Sequence, residues 1–187
     1  ANCVKFQTHI AHAESVTDEP GRVKFSYQDK SRYEYWKRME FSEDQWLGLK
    51  SHADQKKLLF LSTPFSVEAF EMLRRIGVYA WKIASGEITN FPLIEKVAST
   101  KQPVWLSTGM SGHNEIDNVV KILKAYGADY TLFQCTSKYP TKPEEVGLNI
   151  ISDLKNNYKC PVGLSDHSGT IFASLAAATI GVNIIEV

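Results

Sequence analysis

Short apolar runs alternate with amphipathic segments along most of the chain. The runs are rich in β-branched and aromatic residues, as buried strands are. Seven can be identified: VKFQT, LLFLSTP, YAWKIASGE, PVWLSTGM, YTLFQCTSKYP, PVGLSDHSG and VNIIEV. From the second onward they recur at roughly 22 to 30 residues, the length of a βα unit. Because the runs are apolar on both faces, they predict a parallel sheet covered by helices.

The segments between the runs carry helix signals. One has its apolar residues at helical spacing, and these are Ile116, Val119, Val120 and Leu123. Gly127 then fits the position just beyond the helix end. Ser42 and Gln45 have the spacing of a capping box, which predicts a helix through about Gln55.

The tract from Glu14 to Met39 breaks the alternation. It is charged and aromatic, has no clean period and contains the break Pro20-Gly21. We expect a long excursion of the kind that often forms a lid or a binding loop.

The predicted fold is α/β, a (β/α)₈ TIM barrel that is incomplete in this chain and occupies residues 1–187. A doubly wound open sheet is the competing fold, but the sequence has no glycine-rich phosphate loop of the type that such sheets use. The barrel needs eight strands, so the first strand is expected to be missing and the chain to end in a later one. The abrupt start in a strand and the stop within IIEV lead us to expect a fragment of a larger protein.

Composition narrows the function classes. The chain has 187 residues, 43% of them hydrophobic, with 21 Lys and Arg against 21 Asp and Glu. Such a balance argues against a nucleic-acid partner, whereas a small anionic ligand needs only local charge. Three cysteines without metal-ligand spacing suggest a reduced, cytoplasmic setting. No apolar run approaches the roughly 20 residues of a membrane span, so no membrane partner is expected.

Polar residues follow the predicted strands, and in a parallel barrel the carboxyl ends of the strands build the active site. The candidates are Lys5, Gln7, Ser62, Thr63, Lys82, Ser85, Glu87, Ser107, Thr108, Thr136, Ser137, Tyr139, Ser165, Asp166 and His167. Hydroxyls and lysines in such a ring suit a small phosphorylated or carboxylated ligand. Any single Ser or Thr could instead cap the helix that follows it. Lys5 and Lys82 each interrupt an apolar strand, where burial without a partner is costly, and so favour a functional role.

Two of these candidates have open roles. His167 fits a metal ligand, a general base or a satisfied polar residue, and Asp166 beside it favours the first. Glu87 could accept hydrogen bonds from a polyhydroxyl substrate or be a solvated loop carboxylate.

Six motifs together resemble the sialic acid synthase family, the N-acetylneuraminate synthases. They occur in the order VKFQT, FLSTPFS, KIASGEITNFPLI, LSTGMS, QCTSKYP and GLSDHSG. The resemblance implies a TIM barrel followed by a C-terminal antifreeze-like domain, in a domain-swapped homodimer. We expect that domain to be absent from residues 1–187. It also implies the condensation of phosphoenolpyruvate with N-acetylmannosamine, or a related acetamido sugar, to give a sialic acid and phosphate.

The resemblance also assigns roles to residues. It places six residues on phosphoenolpyruvate: Lys5, Thr63, Lys82, Ser85, Ser107 and Ser165. It places Gln7, Glu87 and Tyr139 on the amino sugar, and it makes Lys5, Lys82 and Glu87 the catalytic candidates. His167 matches one of two histidines that bind a divalent metal, usually manganese, with magnesium and cobalt as alternatives.

The sequence departs from the family pattern at both ends. A strand with a catalytic glutamate is expected before Ala1, and the second metal histidine is expected just beyond Val187. Alone, the segment is therefore expected to be inactive.

Other functions remain open at this point. A desolvated Lys82 or Lys5 could be the nucleophile of a Schiff-base aldolase, and a fragment of a barrel could bind a sugar or an anion without catalysis. Within the family, the sequence leaves the acetamido sugar unassigned, since related synthases make legionaminic or pseudaminic acid.

Overall fold

The computed structural model describes residues 1–17 and 26–187, so the predicted break at Pro20-Gly21 lies outside the described residues. Strands and helices alternate along these ranges, as the hydrophobic pattern predicts. The strands are β1 (Cys3–Thr8), β2 (Leu59–Pro64), β3 (Trp81–Ile83), β4 (Val104–Ser107), β5 (Tyr130–Cys135), β6 (Val162–Ser165) and β7 (Ile184–Glu186). The helices are α1 (Ala11–Glu14), α2 (Arg32–Met39), α3 (Glu43–Gln55), α4 (Val67–Ile76), α5 (Phe91–Ser99), α6 (His113–Tyr126), α7 (Leu148–Tyr158) and α8 (Phe172–Thr179).

The chain divides into two compact units, Ala1–Trp81 and Lys82–Val187. In the first unit, β1 and β2 are parallel along their whole length, from Cys3 opposite Leu59 to Thr8 opposite Pro64. Aromatic rings from both strands and from α3 pack together in its core. The Phe6 ring meets Trp46 edge-on at 5.8 Å between centroids and lies 5.5 Å from Phe60. The predicted capping box of α3 is confirmed, because Ser42 and Gln45 exchange side-chain and backbone hydrogen bonds.

Part of the predicted excursion is a helix rather than a loop. The Ser31 hydroxyl accepts from the Glu34 N–H at the start of α2. Trp36 of this helix stacks on the His9 ring at 3.6 Å between centroids, and this contact holds α2 against the end of β1. The segment has no clean helical period because α2 buries none of its residues, so no continuous apolar stripe is required.

In the second unit, each strand from β4 to β7 is a parallel neighbour of the next one along the chain. The helices between them turn apolar faces inward. In α6 the buried residues are Ile116, Val119, Val120 and Leu123, as predicted. Gly127 ends this helix with φ of 68°, the left-handed conformation that glycine adopts without a steric penalty.

These features identify the fold class as predicted. Strands that follow one another in the chain are parallel neighbours throughout, in the order β1 to β7, with helices between them. A doubly wound sheet would reverse its strand order at a switch point, and none occurs in the described residues. The chain therefore has the fold of an incomplete (β/α)₈ barrel, with seven of the eight strands in the described residues.

Two further observations concern the cysteines and the length of the helices. Cys3, Cys135 and Cys160 are free thiols. Within the described ranges, no helix has both the length and the apolar character needed to cross a bilayer.

Candidate functional site

Three sequence-predicted residues of the second unit meet where their strands end. Lys82 on β3 is buried, with 5% of its side chain exposed, and its Nζ donates a hydrogen bond to the Ser107 Oγ at the end of β4. The Ser107 and Ser165 hydroxyl oxygens are 3.4 Å apart. We call Lys82, Ser107 and Ser165 the lysine–serine cluster. It forms because neighbouring parallel strands bring their carboxyl ends to one edge of the sheet.

A carboxylate that the sequence analysis assigned no role completes this group. Glu186 is the last residue of β7, and its Oε2 accepts from the Ser165 Oγ at 2.5 Å. The same oxygen lies 3.4 Å from the Lys82 Nζ. The sequence contains a signal for it, because Glu186 ends a predicted strand, as the other candidates do.

An aromatic ring lies beneath the lysine. The Lys82 Nζ is 5.2 Å from the centroid of the Phe133 ring, within the range of a cation–π interaction. Phe133 is fully buried. Its position depends on Gly163 of β6, since a Cβ there would lie 2.6 Å from the Phe133 ring and 2.9 Å from the Ile184 carbonyl oxygen. The ammonium of Lys82 therefore has polar partners on one side and the Phe133 ring on another.

Ser85 and Glu87 lie in the turn that follows β3. The Ser85 Oγ accepts from the Gly109 N–H at 3.1 Å, so this serine ties the turn after β3 to the one after β4. The Glu87 carboxylate accepts from the Asn90 side-chain amide at 2.9 Å. In this structure Glu87 therefore supports the N-terminus of α5, where Asn90 is the capping residue.

His167 follows β6 and makes a contact that fixes its tautomer. Its Nδ1 is 3.0 Å from the Thr136 carbonyl oxygen. Because a carbonyl can only accept, Nδ1 carries the proton and Nε2 keeps its lone pair, as in metal-binding histidines. The Tyr139 ring lies 4.3 Å from the His167 ring between centroids. Tyr139 is itself largely exposed, which leaves it accessible to a ligand.

Asp166, whose role the sequence left open, organises the loop between β6 and α8. Its carboxylate accepts from the Ser168 N–H at 2.9 Å and from the Ser174 hydroxyl at 2.6 Å. Burial raises the pKa of this carboxyl, but the hydrogen bonds from Ser174 and Ser168 outweigh it and leave the pKa below the ordinary value. Asp166 thereby fixes the loop that carries His167.

Four further candidates, Lys5, Gln7, Ser62 and Thr63, lie in the first unit. Thr63 on β2 is buried, and Ser62 beside it shares a 2.6 Å hydrogen bond with the Thr8 hydroxyl. Lys5 and Gln7 of β1 are exposed. Lys5 interrupts the strand as the sequence indicates, and its functional role stays a prediction. Lys5 and Gln7 share one face of β1, which pairs with β2 at one edge of the sheet that the described residues form.

The metal expectation stays a prediction. The His167 tautomer fits a ligand, since Nε2 is the nitrogen able to bind a cation. Within residues 1–17 and 26–187, however, no three His, Cys, Asp or Glu side chains are grouped as a metal site would require. His167 would therefore supply one ligand of a larger set.

Comparisons with known proteins agree with the fold and with the motifs. The sequence is 40% identical over 187 residues to an uncharacterized protein of Methanocaldococcus jannaschii, covering 100% of this chain and 52% of that protein. It is 36% identical over 192 residues to the N,N'-diacetyllegionaminic acid synthase of Campylobacter jejuni, covering 100% and 58%.

A solved structure is also similar. The crystal structure of the N-acetylneuraminic acid synthetase from Leptospira borgpetersenii, in complex with citrate, matches with a TM-score of 0.86 and 34% identity. The match covers 100% of this chain and 61% of that one. The chain thus spans about half the length of the curated relatives it matches. The sequence model of the NeuB family matches residues 1–187, and the chain belongs to the NeuB family.

Proposed function

We propose that this chain forms the catalytic barrel of an enzyme that condenses phosphoenolpyruvate with an acetamido sugar, giving a sialic-acid-type product and phosphate. The observation that carries the proposal is the lysine–serine cluster. A buried ammonium next to two hydroxyls at the ends of parallel strands is a site for a small anion.

The chemistry of the cluster suits the anionic end of phosphoenolpyruvate. Lys82 supplies one positive charge in a desolvated position, where a charge–charge contact is stronger than in water. Ser107 and Ser165 can donate hydrogen bonds to phosphate or carboxylate oxygens. The solved relative from Leptospira was crystallised in complex with citrate, which is also a small carboxylate anion.

In the proposed reaction, the third carbon of phosphoenolpyruvate attacks the aldehyde carbon of the open-chain sugar and a carbon–carbon bond forms. Water adds at the second carbon, and phosphate leaves with cleavage of its carbon–oxygen bond. Lys82, Ser107 and Ser165 hold the anionic substrate in attack geometry, and this alignment supplies part of the rate. From the family resemblance, Lys5, Thr63 and Ser85 add further contacts to phosphoenolpyruvate.

A divalent metal ion held in part by His167 would act as a Lewis acid on the sugar aldehyde. The chain's own contribution is to orient the imidazole: the Thr136 carbonyl fixes Nδ1, and the Asp166 loop fixes the backbone. Tyr139 beside His167 and, from the resemblance, Gln7 and Glu87 would contact the sugar. The homodimer and the cytoplasmic location stay predictions from the sequence.

A Schiff-base aldolase is the alternative that uses the same lysine. It needs the neutral amine of Lys82 as nucleophile. The Glu186 carboxylate 3.4 Å from Nζ favours the ammonium instead. The geometry therefore supports anion binding over covalent catalysis at this lysine.

The test is a phosphate-release assay of the intact protein with phosphoenolpyruvate and a panel of acetamido sugars, with and without manganese. The panel must include the precursors of sialic and legionaminic acids, since the chain is similar to a sialic acid synthetase and to a legionaminic acid synthase. Phosphate release that depends on one added sugar is the expected result. Release without any sugar, or a substrate adduct that borohydride traps on Lys82, would refute the proposal.

A further inference from the structure

One carboxylate, that of Glu186, contacts the lysine–serine cluster, which the proposed function makes the binding site of an anion. Glu186 contacts the Ser165 hydroxyl at 2.5 Å and lies 3.4 Å from the Lys82 Nζ. It is largely buried, with 19% of its side chain exposed, so water screens its charge only in part. The lysine–serine cluster therefore already interacts with a negative group of the protein.

The hydrogen bonds in this group are directed at protein atoms. A serine hydroxyl has a single proton, and that of Ser165 points to Glu186 because a carboxylate can only accept. Lys82 donates to Ser107. An anion that binds to Ser165 and Lys82 must accept the hydrogen bond that Ser165 donates to Glu186 in this structure. It must also lie close to the negative charge of Glu186.

We propose that Glu186 is a resident counter-ion of the anion site. It compensates the buried charge of Lys82 and orients Ser165 before the anionic substrate arrives, and it loses its contact with Ser165 when the anion binds. The inference rests on the proposed function, because it assumes that the lysine–serine cluster binds an anion. It adds that the charge of Glu186 weakens the binding of that anion.

The physical basis is the balance of two charge interactions on one lysine. Without a counter-charge, a buried ammonium is poorly tolerated, and this favours keeping Glu186. With an anion bound, the ammonium has a second counter-charge, and the two negative groups repel each other across a few ångströms. Substituting Glu186 by Gln keeps an acceptor for Ser165 and removes the repulsion. We expect phosphate to bind about tenfold more tightly to this variant, the size of a like-charge repulsion in a partly solvated site.

The experiment titrates the intact protein with inorganic phosphate alone, by calorimetry, in four forms. These are the unmodified protein, Lys82→Met, Glu186→Gln and the control Glu144→Gln. Glu144 is exposed in the segment after β5. Its substitution changes the net charge of the protein by the same amount, but at a residue outside the lysine–serine cluster. Thermal unfolding of each variant checks that it is folded.

The outcomes separate the inference from the proposed function. Tighter binding to Glu186→Gln, with Glu144→Gln unchanged and Lys82→Met impaired, supports the counter-ion role. Equal or weaker binding to Glu186→Gln, with Lys82→Met still impaired, overturns the counter-ion role and leaves the anion site intact. Unchanged binding to Lys82→Met would refute the anion site itself and, with it, the counter-ion.

A second measurement keeps the inference testable if Glu186→Gln does not fold. A crystal structure of the unmodified protein with phosphate on Lys82 should have the Ser165 hydroxyl donating to phosphate and no longer to Glu186. Phosphate bound on Lys82 with the Ser165–Glu186 hydrogen bond retained would contradict the counter-ion role.

Discussion

The Lys82 Nζ donates a hydrogen bond to the Ser107 Oγ, although 25 positions of sequence separate the two residues. The contact arises because β3 and β4 are neighbouring strands of a parallel sheet and end at the same edge. A lysine in this position is buried and has to be matched by polar groups, which Ser107 and Glu186 provide. The relationship makes Lys82 the centre of the candidate site.

Removing one hydroxyl from the lysine–serine cluster should weaken anion binding moderately. For Ser107→Ala or Ser165→Ala we expect the dissociation constant of phosphoenolpyruvate to rise roughly 10- to 100-fold, because a hydrogen bond to a charged group contributes roughly 1.5–3 kcal/mol. Calorimetry of the intact protein measures this. Ser152→Ala, on the exposed face of α7, is the matched control. Affinities that stay within a factor of two for both cluster variants would remove the serines from the anion site.

His167 should bind a metal through Nε2. In His167→Ala the affinity of the intact protein for Mn²⁺, followed by electron paramagnetic resonance of the free ion, should fall by about tenfold or more, since even outer contacts of metal histidines cost that much. His113→Ala, on the exposed first turn of α6, serves as the control. If His167→Ala bound manganese as the unmodified protein does, the metal role would be wrong.

Gly163→Ala should destabilise the second unit and displace the Phe133 ring that lies next to Lys82. The new Cβ would meet the Phe133 ring at 2.6 Å and a backbone oxygen at 2.9 Å, an overpacking that costs roughly 1–3 kcal/mol. Urea unfolding measures the loss. Gly86→Ala, with no atom within 4 Å of its Cβ, should change stability far less. Equal midpoints for the two variants would mean that the sheet relaxes around the added methyl.

The free energy of unfolding at alkaline pH should depend on the ionisation of Tyr158. Burial, helped by the hydrogen bond to Asp117 at 2.9 Å and by the Asp117 charge, raises the pKa of Tyr158 from 10.0 to about 12. Because the folded state prefers the protonated phenol, this contribution is fully present below pH 10.0 and is lost as the pH rises through about 12.

The comparison with Tyr158→Phe isolates this effect. At pH 8 the variant should lose about 1 kcal/mol of unfolding free energy, the worth of one hydrogen bond. The difference between the two proteins should shrink between pH 10 and pH 12. A difference that stays constant over that range, by urea unfolding, would argue against the raised pKa.

Much of the fold could be predicted from local pattern. The strand ends at Ser107 and Ser165 stood out because apolar runs stop there, and the parallel sheet then places such ends side by side. The helix α6 followed from one apolar stripe and Gly127. These features depend on residues that are close in sequence, which is why the sequence alone predicts them.

Other features depended on tertiary context. The α2 helix has a capping serine, Ser31, but no buried stripe, so hydrophobic periodicity missed it. Lys5 interrupts an apolar strand and is exposed in the described residues, because exposure depends on which strands flank β1. Glu186 is assigned a role only through its distance to Lys82, and the two residues are more than 100 positions apart in the sequence.

The central claim, that Lys82 binds the anionic end of phosphoenolpyruvate, is tested most directly by calorimetric titration of the intact protein with phosphoenolpyruvate. Lys82→Met keeps the side-chain volume and removes the charge, and Lys121→Met on the exposed face of α6 is the control. We predict that Lys82→Met lowers the affinity about a hundredfold, as expected when a buried charged partner of the ligand is removed, while Lys121→Met leaves it unchanged. A folded Lys82→Met protein that binds phosphoenolpyruvate as tightly as the unmodified protein would contradict the claim.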